Sequence, residues 1–224
     1  MQTQDVSTEF LVKFWPWLEA NRKRLIIVGV AALVALFVWY YLKTSREQKE
    51  LAAGQAYTQF QMNQPQTLPA QQVVDGYRNI AGQYSGTVAG ERAELQAAAT
   101  LFDAGRYADA QKQFENFVSA NPGSSLMAMA RLGVAACEES QGKLDEALSH
   151  YRQLDTSYPD TAAGVNANFS AGRILELQGK LSDAVTIYQE VVRSPLAGSL
   201  ASEAANRAAM IQVKLAAEKP ATKS

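Results

Sequence analysis

The side chains best suited to chemistry in this chain are His150, Cys137 and the carboxylates Asp145, Glu146 and Asp183. An imidazole beside a thiol could make a nucleophile by taking its proton. His150 and Cys137 are each the sole residue of their type, and 13 positions separate them. They fall on different helices, so His150 is read as a surface histidine and Cys137 as a small packed thiol. One cysteine excludes an intramolecular disulfide framework and a cysteine-based zinc cluster. The three carboxylates stand at helix starts, where they favour the helix dipole without any catalytic duty. No glycine-rich phosphate loop follows a strand. The residues therefore predict no enzyme, no metal, no cofactor and no small-molecule substrate.

The elements that carry these residues repeat. "GRYADAQKQFENFVSANP", "GKLDEALSHYRQLDTSYP" and "GKLSDAVTIYQEVVRSPL" begin at Gly105, Gly142 and Gly179, 37 residues apart. Ala110, Ala147 and Ala184 keep the interval, as do Phe114, Tyr151 and Tyr188. Pro122 and Pro159 keep it too, while Pro195 comes one place early. Self-similarity at a fixed period of this length marks a solenoid array. Each copy reads as two antiparallel helices, A then B, joined at the glycine. In the second copy helix A is expected over about Ser125–Gln141 and helix B over about Asp145–Tyr158. Ala147 must be small where helix A passes, and Tyr151 and Leu154 share the face that leans on it.

The pattern resembles the tetratricopeptide repeat. Ala98, Ala135 and Gly172 match its small helix-A position, and Ala110, Ala147 and Ala184 its helix-B alanine. The departure is three extra residues per unit, expected in helix A or in the loop before it. The resemblance implies an all-α solenoid whose helix-A faces line a groove for polypeptide. By repeat position these faces hold Arg92, Leu95, Met129, Leu132, Asn166, Phe169 and Arg173, with Glu139 and Glu176 at the rim. Two readings of Leu132 and Phe169 stand: groove lining, or packing between neighbouring helices. The carboxylate clamp of some tetratricopeptide proteins is absent, because Leu95, Ala99 and Leu132 occupy its places.

Ahead of the array, "LIIVGVAALVALFVWYYL" runs from Leu25 to Leu42 without a charge. A helix of this length spans about 27 Å, close to the roughly 30 Å hydrocarbon core of a bilayer. Trp39, Tyr40 and Tyr41 close it with interface-seeking rings. A buried core helix and a cleaved signal peptide are the alternatives, the second disfavoured because bulky residues follow the apolar run. Arg22, Lys23 and Arg24 abut the span and favour a cytoplasmic N-terminus by a narrow margin. Phe10, Leu11, Phe14, Trp17 and Leu18 suggest a short surface helix, broken at Pro16, or an extension of the span.

The expected organisation is a cytoplasmic or interfacial segment over 1–24, a transmembrane helix over 25–42 and a degenerate helix pair over 46–89. Three repeats follow over 90–198, then a capping helix over 199–218 and a disordered tail over 219–224. The first helix of the degenerate pair, about Arg46–Met62, could continue straight from the span. Net charge is −1, so the overall field draws no nucleic acid.

The layout also resembles the YfgM-like family, through "LVKFWPWLEANRKRLIIVG", a single span ending in "WYY", and "AAGQAYTQF" before the repeats. That resemblance implies a bacterial inner-membrane protein with a periplasmic array. It implies an ancillary role at the SecYEG translocon and contact with a PpiD-like periplasmic chaperone or with emerging secreted polypeptides. A structural scaffold in envelope assembly or division, with one fixed partner, uses the same fold and stays open. So does an array placed in the cytosol.

Overall fold

The structure, a computed structural model, describes Trp17, residues 19–63 and residues 68–218. The expected surface helix around Phe10–Leu18 lies outside these residues except for Trp17. The turn residues 64–67 and the tail 219–224 lie outside them as well. Among the described residues every regular element is a helix. They are α1 (Arg22–Asn63), α2 (Ala70–Gln83), α3 (Val88–Asp103), α4 (Tyr107–Ala120) and α5 (Met127–Ser140). After these come α6 (Leu144–Ser157), α7 (Ala162–Leu177), α8 (Leu181–Arg193) and α9 (Ser199–Glu218).

The chain divides into two compact units, one to Ala52 and one from Ala53. In the first, an 18-residue window of α1 has a mean hydropathy of 2.5 and none of it is buried. That exposure distinguishes it from the core helix of a soluble domain, whose apolar face is covered. By length and composition this helix can cross a membrane. Lys43 lies 5.6 Å from the centre of the Trp39 ring, at the end where the apolar run gives way to charge.

The second unit is the array. From α2 onward each helix packs against the next, and α3, α5, α7 and α9 also touch in succession. Helix B amphipathicity follows directly from the repeated residues. Ala110, Ala147 and Ala184 are all 0% exposed, and Phe117, Leu154 and Val191 are buried one turn beyond the buried rings of Phe114, Tyr151 and Tyr188. Burying one such aromatic side chain contributes about 1.5–3 kcal/mol. At the start of the unit the C-terminal part of α1 pairs with α2 through rings: Phe60 meets Tyr77 edge-on at 4.9 Å, and Tyr57 tilts against it at 5.8 Å.

The A-to-B turns are built on a single device. Gly105, Gly142 and Gly179 have φ of +74°, +77° and +72°. Each lets the next residue's N–H reach back to a helix-A carbonyl: Arg106 to Leu101, Lys143 to Glu138 and Lys180 to Leu175, all at 2.9 Å. This is the Schellman closure, and a side chain at the glycine would be strained. Helix A starts are set by Thr87 and Thr161, whose hydroxyls accept the N–H of Gly90 and Gly164 at 3.0 Å. In the copy between them Ser124 accepts the N–H of Leu126 instead, and α5 begins at Met127 rather than near Ser125.

At the far end α9 occupies the next helix-A position. Val165, Phe169 and Leu175 of α7 are buried. Their equivalents 37 residues on are Ser202, Asn206 and Gln212, all exposed. The last helix thus keeps an apolar inner face of Ala204, Ala208 and Ile211 and exposes polar side chains at those three positions, with Met210 and Val213 exposed beside them.

Candidate functional site

A row of polar residues ties the later helix-A positions together. Tyr151 Oη donates to Glu139 Oε2 at 2.8 Å, and Arg173 pairs with the same carboxylate. One repeat on, Tyr188 Oη donates to Glu176 Oε2 at 2.8 Å, and Arg207 pairs with Glu176 at 3.2 Å and Glu203 at 3.1 Å. Burial pushes both phenols well above the usual tyrosine range, and the adjacent carboxylates push them further. The rings therefore stay protonated and remain donors. Charge-assisted bonds of this kind are about twice as strong as neutral ones.

The same register in the first repeat carries no such row. At positions 37 residues earlier, Glu139 becomes Phe102, Tyr151 becomes Phe114, Arg173 becomes Ala136, and Ser170, which hydrogen-bonds the Tyr151 phenol, becomes Gly133. Those four residues line an open groove of about 520 Å³ between α3, α4 and α5, reached also by Tyr57. Leu95, Leu126, Met129 and Leu132 complete its apolar wall, and Arg92 and Gln96 supply its polar edge. A Cβ placed on Gly133 would fall 2.6 Å from the Phe114 ring, so the ring itself forms the floor at that point. Arg92 is exposed and has no hydrogen-bond or ion-pair partner among the described residues. An apolar trough with one free cation at its edge suits a polypeptide segment with apolar side chains.

Of the nine residues singled out by repeat position, Arg92, Leu95, Met129 and Leu132 meet in this groove. Met129 is 56% exposed within it, while Leu95 is 6% exposed and forms wall rather than rim. Of the other five, Glu139 stands at the far end of α5, and Asn166, Phe169, Arg173 and Glu176 lie on α7. Asn166 is exposed and donates to Ala162 O of its own helix at 2.7 Å. Phe169 is buried, tilted against Tyr188 at 5.7 Å with Arg207 over its ring at 5.9 Å. Phe169 therefore packs between helices. Glu139, Arg173 and Glu176 are held in the polar row just described. Phe114 enters the sequence reading only as a repeated helix-B ring, and Phe102, Gly133, Ala136 and Tyr57 escape it, although aligning the copies and asking where charge disappears finds Phe102 and Ala136.

Cys137 is fully buried, and desolvation, with smaller contributions from Glu138 and Glu115, pushes its thiol up to about 12. It is a packed thiol without thiolate character at neutral pH. Among the described residues no group of three or more His, Cys, Asp or Glu side chains is placed to hold a metal ion.

Residues 15–218 match a family profile described as a tetratricopeptide repeat-like domain. No curated protein matches the chain. Among solved structures, the type III secretion translocator chaperone SycD of Yersinia enterocolitica is 20% identical, with 55% of this chain and 92% of that one covered and a TM-score of 0.48. PcrH of Pseudomonas aeruginosa is 21% identical, over 55% and 91% of the two chains, at 0.48. The TPR-like repeats of a Podosopora anserina putative kinesin light chain are 13% identical, over 75% and 95%, at 0.47.

Proposed function

This chain belongs to the tetratricopeptide repeat-like domain family, and from that membership we propose that it is a membrane-anchored protein-interaction module whose working surface is the groove around Phe102, Phe114, Met129 and Leu132. The observation that carries this reading is the loss of the polar row in the first repeat, which leaves an apolar trough where the later repeats are closed by ion pairs. The partner is a polypeptide, held by apolar side chains with Arg92 at the edge. The apolar part of α1 is the anchor. Confinement to a membrane raises the local concentration of the groove near chains crossing it, so weak binding suffices.

The finer assignment rests on the resemblance to the YfgM-like family. The chain is placed in a bacterial inner membrane with its N-terminus in the cytoplasm and the array in the periplasm. Its partners are the SecYEG translocon, a PpiD-like periplasmic chaperone or secreted polypeptides as they emerge. The Arg22-Lys23-Arg24 cluster supports the orientation.

The test is a photo-crosslinking residue at Met129 of the full chain in membranes, with protease access to the array in right-side-out vesicles. Translocon subunits, a periplasmic chaperone or secreted chains should be captured, and protease should reach the array from outside. Capture of one stoichiometric envelope or division protein would replace this reading with the scaffold. A protected array would move it to the cytosol, and no protein captured at Met129 would remove the groove as the binding surface.

A further inference from the structure

A second cavity, of about 350 Å³, lies between α4, α5 and α6. Arg131 and Val134 of α5 face it, whereas Leu132, Gly133 and Ala136 face the groove, so the two sites occupy opposite sides of α5. Arg131 is anomalous there. Its Nε is buried and donates to nothing, and the guanidinium has no hydrogen bond or ion pair among the described residues. A buried unsatisfied donor is costly and calls for an explanation.

The repeat supplies one. The equivalent of Arg131 in the next copy is Asn168, whose Nδ2 donates to Glu190 Oε2 at 3.4 Å. Asp155 stands beside Glu190, and burial together with that neighbour pushes its carboxyl above the usual range. The equivalents of Glu190 and Asp155 around Arg131 are Gln153 and Val118. Both acids are thus missing where the cation is present, and the cavity lies beside it. Gln153 lines the cavity and has no partner among the described residues. Glu115, the acid that does line it, is exposed and accepts from Gln111 Nε2 at 2.8 Å. His150 presents a ring whose Nδ1 is held 2.6 Å from buried Glu138, while its Nε2 has no partner among the described residues.

We propose that this cavity binds a carboxylate borne on a short apolar group. The acid takes the place that Glu190 holds one repeat later, with Arg131 as its counter-ion and Gln153 as a neutral donor. Val118, Val134 and Leu154 cover the apolar portion. The carboxylate comes either from a polypeptide or from a free small acid. The site does not depend on the groove.

His150 is the sole histidine, so its imidazole gives one assignable NMR signal at the cavity. The full chain in detergent micelles is titrated at fixed pH with N-acetyl-leucine and with the matching carboxamide. The acid should shift the signal saturably and the amide should bind at least about tenfold more weakly. Arg131→Met should weaken the acid by about the same factor. Gln153→Glu restores the missing acid within the chain and should abolish binding while helical circular dichroism is kept. A ten-residue peptide ending in leucine that binds more tightly than the free acid identifies polypeptide as the source; equal or weaker binding identifies the small acid. A motionless His150 signal, equal binding of acid and amide, or full binding by Gln153→Glu overturns the site.

Discussion

The Phe114 ring lies over Gly133 so closely that a Cβ on residue 133 would sit 2.6 Å from it. Helix B of one repeat and helix A of the next meet there without a side chain between them. A branched residue cannot enter without moving the ring that floors the groove. Gly133→Leu is expected to overpack the contact, costing about 1–3 kcal/mol. Thermal melts should show the loss, and crosslinking from Met129 should fall with it.

The polar row can be transplanted. Phe102→Glu with Ala136→Arg rebuilds in the first repeat the pair formed by Glu139 and Arg173 in the second. The double variant should fill the trough and suppress capture of partners at Met129 while the melting temperature stays within a few degrees of wild type. Capture at the wild-type level would mean that the apolar trough is not what partners use.

Gly142 stands in open space with φ of +77°, so its requirement is backbone conformation alone. Gly142→Ala should cost about 1–2 kcal/mol, the strain of an L-residue in the left-handed region. Chemical denaturation measures this directly. A neutral result would indicate that the turn relaxes without harm to the α5–α6 pair.

Alkaline titration should weaken the array through Cys137. Its thiol is raised from 9.0 to about 12 in the folded chain, so the folded state holds a proton that the unfolded state releases first. Stability is unaffected below about pH 8, then declines at about 1.4 kcal/mol per pH unit for this one group until the folded value is reached. The raised phenols of Tyr151 and Tyr188 act in the same direction. Cys137→Ala should flatten the decline between about pH 9 and pH 11, followed by urea unfolding at each pH.

Much of the fold was legible because the copies speak for one another. Ala110, Ala147 and Ala184 announce the close helix contact, and the three glycines announce the turns; in the structure all six do so. The first turn of α5 was less legible, since Ser124 and Thr161 look alike in sequence yet engage different N–H groups. The groove was legible in half. Leu95, Leu132 and Phe169 hold one register position, but what covers that position differs. Arg207 reaches over Phe169, while Gly133 and Ala136 leave Leu132 half-buried beside open space. The ion-paired row joins Glu139 to a residue 34 positions away, a spacing that neither helical period nor repeat period displays.

The exchange of Val165, Phe169 and Leu175 for Ser202, Asn206 and Gln212 on α9 also bears on how molecules meet one another. A stack that ended in apolar residues would offer the next molecule the same welcome that each helix gives its successor, and copies could chain head to tail into open fibres. Amides and a hydroxyl keep their hydration at these three positions and withhold that welcome there, while Met210 and Val213 of the same helix stay exposed.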